Sequence, residues 1–260
     1  MTYEAYLRGA ERTLIEGWDF SALDNRMVEQ PPPWDYRRLV TDHIGAANRL
    51  LDMGTGGGEF LASLDRLPAG VTATEGHPPN VEVAKRRLEP LGVAVVPLPE
   101  AADAPLPLPD NAFDLVINRH EYYDPQEVRR ILAPGGVFVT QQVGGADVAD
   151  LNTALAAGPP DFGDWTLDTA RRQLTEAGFD ITHAQTAQCR GEFRDIGAVL
   201  IYLKLVPWQI PGYDQDAYEP RLRALHDRIT EQGPLTVSHH RFLLTARRPA
   251  LSDTRQEPAG

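Results

Sequence analysis

The chain has 260 residues, with 25 Lys and Arg against 37 Asp and Glu, for a formal charge of −12. A phosphate backbone needs clustered cations to displace its counterions, so this balance argues against nucleic acid as a partner. A single cysteine, Cys189, excludes an intramolecular disulfide and a cysteine metal cluster.

The N-terminus, Met1–Arg8, has no apolar signal segment. The longest apolar run, residues 196–207, contains Lys204 and is too short to span a bilayer. A soluble cytoplasmic protein is expected, with no membrane partner and no metal-ligand spacing in the sequence. Homodimerisation is left open.

Residues 1–45 are helical in tendency and carry Trp18, Phe20, Trp34 and Tyr36 around Pro31–Pro33. They read as a helical N-terminal cap or lid, with Trp18 and Trp34 facing substrate; ordinary packing at a sheet edge is the plainer alternative. From Leu50 to about Val143, short apolar runs alternate with helical spacing, the pattern of a parallel α/β sheet. Strands are predicted at Leu50–Met53, Val71–Thr74, Val93–Val96, Phe113–Asn118 and Val137–Gln141. Helical patterns fall at Phe60, Leu61, Leu64 and Leu67, at Val81, Ala84, Leu88 and Leu91, and over Pro125–Leu132. Pro134-Gly135-Gly136 reads as a turn.

Further on, Trp165–Ala177 is a predicted helix capped by Gly178, and Phe179–Ala184 a sixth strand. Pro207, Pro211 and Gly212 then break the chain, a helix covers 216–231, and Leu235–Arg247 is the last strand. The sum is a Rossmann-like, doubly wound, seven-stranded and mostly parallel sheet with an N-terminal cap. The expected divisions are 1–45, 46–248 with a substrate-side insert at about 190–232, and a frayed tail at 249–260.

Residues 49–60, Arg-Leu-Leu-Asp-Met-Gly-Thr-Gly-Gly-Gly-Glu-Phe, carry the most information. A strand ends near Asp52, and Gly54, Gly56 and Gly58 follow at alternate positions before a helix start. Such glycines let the backbone turn sharply and approach a ligand, and the helix start offers free N–H groups. A dinucleotide fingerprint would need glycine at 54, 56 and 59, but position 59 is Glu, whose charge opposes a diphosphate. A nucleotide-hydrolase loop would need Gly-Lys-Ser/Thr, which is absent.

The pattern acid-x-Gly-x-Gly-x-Gly resembles motif I of class I S-adenosylmethionine-dependent methyltransferases. Two further segments carry the same likeness. Leu106-Pro-Leu-Pro-Asp-Asn-Ala-Phe-Asp-Leu-Val-Ile is similar to a segment of the family's small-molecule branch, the ubiquinone/menaquinone methyltransferase-like proteins. Arg130-Ile-Leu-Ala-Pro-Gly-Gly-Val-Phe-Val is similar to the family's turn into its fifth strand. The resemblance covers about 48–143 and thins on either side.

It implies S-adenosyl-L-methionine as cofactor, S-adenosyl-L-homocysteine as product, and a small-molecule acceptor methylated at O, N or C. Cofactor-binding candidates are Asp52, Gly54, Thr55, Gly56, Gly58, Glu75, Gly76 and Asn118. Glu75, 23 residues after Asp52, ends the second strand where an acid accepts from ribose hydroxyls. Asp103 is the candidate at the adenine amino group, with the Ala102 backbone and Glu100 as alternatives.

The fourth strand ends in Asn118-Arg119-His120-Glu121-Tyr122-Tyr123, beside the expected sulfonium. His120 is the candidate general base, because an unperturbed imidazole titrates near neutrality. The plainer reading is that it only positions substrate or caps the next helix. Glu121 orients His120 or accepts a substrate ammonium, and Tyr122 and Tyr123 line the pocket. Gln141 and Gln142 are expected to form a polar rim at the end of the fifth strand, there to hydrogen-bond substrate or merely to satisfy loop backbone. Trp208-Gln209 and Ser238–Arg241 are further candidates; the adjacent His239 and His240 point to opposite faces of a strand and make no metal pair.

Three rival functions remain: an RNA methyltransferase of the same fold, a dinucleotide-dependent oxidoreductase, and a non-catalytic sensor that keeps the cofactor pocket.

Overall fold

The computed structural model describes residues 1–15, 20–99 and 104–250. In chain order its elements are α1 (Tyr3–Arg12), β1 (Met27–Glu29), α2 (Tyr36–Ile44), β2 (Arg49–Met53), α3 (Glu59–Ala62), β3 (Gly70–Glu75) and α4 (Pro78–Leu88). β4 (Ala94–Pro97), β5 (Phe113–Arg119), α5 (Pro125–Ile131), β6 (Leu132–Val143), α6 (Ala149–Ala154) and α7 (Leu167–Glu176) follow. The last are β7 (Asp180–Phe193), α8 (Ile196–Leu205), α9 (Gln215–Gln232) and β8 (Leu235–Arg247). The hydrogen-bonded strand order is β1-β7-β8-β6-β5-β2-β3-β4.

The fold class is the expected Rossmann-like α/β sheet, but among the described residues it has eight strands rather than seven. The extra one is β1, in a segment read as helical. It is three residues long and mostly exposed, too short to show an alternating pattern, and exists by pairing antiparallel with β7 from Met27↔Phe193 to Glu29↔Gly191. Two other expectations shift. The helix after the glycine turn is a single turn that stops at Ser63, whose hydroxyl bonds back to the Phe60 carbonyl. The Pro134–Gly136 turn lies inside β6, where the Gly135 N–H donates to the Arg248 carbonyl and the Arg248 N–H to that of Gly136.

The chain folds into two compact units. One holds residues 36–141, 170–184 and 243–260. Here β4, β3, β2, β5 and β6 pair in parallel, β2 taking β3 on one side and β5 on the other. The order therefore reverses at β2, and ligands of such sheets bind beyond the carboxyl ends of the strands at that switch point. Leu50, Leu51, Val116 and Ile117 are buried, as central strands covered on both faces require. α2, expected as part of a separate cap, belongs to this unit and buries Tyr36, Val40 and Ile44.

The other unit comprises residues 1–35, 142–169 and 185–242. Its core forms around α8, where every residue but Lys204 is buried. A helix apolar all round belongs at the centre of a helical layer, and α1 and α9 contribute Tyr3, Ala10, Leu222 and Leu225 to the same cluster. The side chain of Asp195 caps α8 by accepting from the Ala198 N–H at 2.9 Å. The 249–260 tail expectation lies almost wholly outside the described residues.

Candidate active site

The glycine turn joins β2 to α3 at the switch point. Gly54, Gly56 and Gly58 have φ of +68°, +61° and +82°, which residues with a β-carbon seldom adopt. The Thr55 N–H donates to the Thr74 carbonyl at 2.9 Å and that of Gly58 to the Thr55 carbonyl at 3.0 Å, so the turn is tied to β3 as well as to itself. Glu59 pairs with Arg87, which also reaches the Gly57 carbonyl. Its charge is compensated locally, so what departs from the dinucleotide pattern at position 59 is the lost glycine more than the added carboxylate.

Three carboxyl groups face this turn. Asp52 is buried, and its Oδ2 accepts from the Thr55 hydroxyl at 2.8 Å. Burial pushes its pKa up to about 6, against the opposing pull of that hydroxyl and of Arg119, with Glu75 adding to the rise. Glu75 is also buried; desolvation raises it although the N–H groups of His77, Gly56 and Gly76 favour its charge. Glu121 lies against Gly54, where a β-carbon would collide with its Cβ and Cγ. Burial and then the charge of Glu75 raise its carboxyl, while the Tyr122 N–H, 3.0 Å from Oε1, opposes them.

Beside β3, Gly76 lines an open groove of about 360 Å³ together with Pro78, Val81, Pro97 and Leu98. The Leu98 N–H donates to the Glu75 carbonyl at 2.8 Å, which fixes the groove against the acid. Pro97 and Leu98 were not singled out in the sequence. Their position at the carboxyl end of β4, Pro97 closing the strand and Leu98 following it, was the available signal.

At the end of β5, Asn118 is buried, and its Oδ1 accepts from the Thr140 hydroxyl at 2.9 Å. Its carbonyl accepts from the Tyr36 hydroxyl at 3.1 Å. The sequence places Tyr36 among the aromatics of the N-terminal cap and gives it no individual role at the site. Burial, then the charge of Asp52, hold its hydroxyl well above the usual tyrosine range. Its ring packs 5.2 Å from that of Phe60, over which Arg119 stacks at 5.1 Å.

His120 and Gln141 meet in two places: backbone to backbone at 2.8 Å and side chain to side chain at 3.0 Å. Tyr122 is 74% exposed and Tyr123 is 4% exposed, so the two diverge. The Tyr123 ring packs edge-on against Phe138 at 5.0 Å, in the core rather than on an open wall. Gln142, buried, and Trp34, half-buried, belong to the other unit. So do Gln209, whose amide bonds Asn152 and the Asp147 carbonyl, and His239, Nδ1 of which lies 3.3 Å from Asp147. Trp18, Glu100, Ala102 and Asp103 lie outside the described residues. Among the described residues no group of three or more His, Cys, Asp or Glu could hold a metal ion, and no helix is long and apolar enough to cross a membrane.

A parallel sheet that reverses at β2, a glycine turn at that point and an acid closing the next strand define a Rossmann-like domain. The likeness narrows further: residues 51–140 match the methyltransferase domain family.

Two ubiquinone biosynthesis O-methyltransferases are similar to this chain, from Cereibacter sphaeroides (35% identical over 98 residues) and Paramagnetospirillum magneticum (35% over 100 residues). Each match takes in 35% of this chain, which spans only about two fifths (39% and 38%) of those relatives. Among solved structures, a functionally unknown protein from Deinococcus radiodurans R1 superposes with a TM-score of 0.58 at 14% identity, over 94% of this chain and 99% of its own. A protein of Bacillus halodurans C-125 provisionally assigned as a methyltransferase gives 0.57 at 16%, over 82% and 99%. These two establish the fold.

Proposed function

We propose that the chain is an S-adenosylmethionine-dependent methyltransferase acting on a small-molecule acceptor. The observation that carries this is the set of carboxyls, Asp52, Glu75 and Glu121, around one glycine turn. A diphosphate would be repelled there. The cofactor proposed brings an ammonium, a sulfonium and two ribose hydroxyls, all of which suit carboxylates.

In this reading Glu75 accepts from the ribose hydroxyls, and Gly76, Pro97 and Leu98 flank the base. Asp52 orients the turn through Thr55 and attracts the ammonium end. Arg119, carried on Phe60, offers a cation to the ligand's carboxylate. When bound, the cofactor supplies a methyl group already activated by positive sulfur. The protein's part is alignment and exclusion of water, with His120 and Glu121 nearest the acceptor. The name of the two curated relatives, together with the chain's acidity, supports a small acceptor, with oxygen as the first atom to test.

Calorimetry with S-adenosylhomocysteine tests the reading. The wild type binds, and Asp52→Ala and Gly56→Val do not. Tight nicotinamide dinucleotide binding with no affinity for S-adenosylhomocysteine would refute it. A mass-spectrometric screen of metabolites for a gain of about 14 Da, one methyl replacing one hydrogen, then finds the acceptor.

A further inference from the structure

At the end of β5 the backbone leaves the extended region at His120, whose φ is +63°. Non-glycine residues there are uncommon, and at sites they mark an imposed side-chain direction. Gln141, opposite Arg119 in the parallel pairing with β6, imposes it. The His120 N–H donates to the Gln141 carbonyl at 2.8 Å, and the Gln141 carboxamide Nε2 lies 3.0 Å from imidazole Nε2. Gln141 is 8% exposed, so little water competes for that amide.

A carboxamide nitrogen has hydrogens to give and no lone pair to offer. Two nitrogens at this distance form a hydrogen bond only if imidazole Nε2 accepts. In a neutral imidazole the single ring proton is then on Nδ1.

We propose that Gln141 is a positioning residue that fixes His120 in its Nδ1–H form, so that His120 meets the acceptor as a hydrogen-bond donor and not as the base that takes its proton. A proton placed on Nε2 would face the N–H of Gln141, so base chemistry at that atom requires the carboxamide to turn over. A donor suits an acceptor oxygen that reaches the site already ionised, its proton having gone to solvent. The donor's target rests on the methyltransferase reading; the tautomer does not.

The test is imidazole ¹⁵N NMR on the cofactor-free, full-length protein at about pH 8, where histidine is neutral. The His120 signals are assigned by their loss in His120→Asn, a residue that tolerates the left-handed backbone. In the wild type Nδ1 gives the protonated shift and Nε2 the unprotonated one. In Gln141→Glu, whose carboxylate only accepts, the pattern inverts. In Gln141→Leu the ring relaxes to a tautomer mixture. An Nε2–H wild type, or one pattern shared by all three proteins, overturns the proposal. S-adenosylhomocysteine calorimetry on the same samples reports separately on the cofactor reading, so the two fail independently.

Discussion

The Thr55 hydroxyl donates to Asp52 Oδ2 across 2.8 Å, a hydrogen bond from within the glycine turn back to the acid near the end of β2. It favours the charged carboxylate but does not outweigh burial, which leaves Asp52 with a pKa of about 6. An acid raised in the folded state binds more protons folded than unfolded. Its stabilising effect is therefore full below its unfolded value, 3.8, and is lost as pH rises toward 6. Asp52→Asn removes that loss and keeps an oxygen for Thr55. Urea unfolding should show the variant more stable than wild type above pH 6, by on the order of 3 kcal/mol, with the difference vanishing near pH 4. The same substitution should weaken S-adenosylhomocysteine binding, and the wild type's affinity should climb as pH rises through 6.

Gly56 and Gly58 share left-handed geometry but not surroundings. A β-carbon on Gly56 meets nothing within 4 Å, whereas one on Gly58 lies 2.7 Å from Leu88 Cγ. Gly56→Ala should cost about 1 kcal/mol, from backbone alone. Gly58→Ala should cost roughly 2–4 kcal/mol, because a packed leucine must also move. Equal midpoints in urea for the two variants would contradict this ranking.

Tyr36→Phe deletes the hydroxyl that donates to the buried Asn118 carbonyl at 3.1 Å. The loss should be about 1 kcal/mol in stability. Phe60, packed on the same ring, keeps α2 in place, so circular dichroism should be unchanged while the thermal midpoint falls.

Arg130 organises the loop before β5. It bonds both Glu127 oxygens at 2.8 Å, Asp110 at 2.7 Å, and the carbonyls of Leu108 and Leu106 at 2.8 and 3.0 Å. Arg130→Leu should accelerate hydrogen exchange at Leu106 and Leu108 by about tenfold or more while leaving the strand amides of β2 protected. Uniform acceleration across the sheet would mean that Arg130 supports the whole fold instead.

In the other unit, Arg241 is 7% exposed, with Nη1 2.5 Å from Asp147 and Nη2 3.0 Å from Glu29. Arg241→Met strands the Asp147 carboxylate in the interior and should cost roughly 3–5 kcal/mol. Adding Asp147→Asn should return part of it, which a double-mutant cycle in urea would measure.

The glycine turn and the acids around it were legible because their parts are local. Asp52, the three glycines and Glu75 announce themselves through strand ends and turn geometry, which depend on neighbours within a few residues. The same locality made β2, β3, β4 and β5 readable to within a residue at each end, whereas β6 begins five residues before its predicted start because the Pro134–Gly136 turn lies inside it. β1 was missed because three residues carry no period. The full burial of α8 followed from its uniform apolar content only once α1 and α9 were in place around it.

By itself, then, the amino-acid order determined a Rossmann-like sheet with a glycine turn at its switch point and acids at the neighbouring strand ends. Folding decided the chemistry of the groups at that point. Desolvation raised Asp52, Tyr36 came from 16 positions upstream to face it, and Gln141 met His120 from the neighbouring strand. Proton position and charge depend on distances of a few ångströms between residues far apart in the chain, and hydrophobic periodicity does not encode those distances.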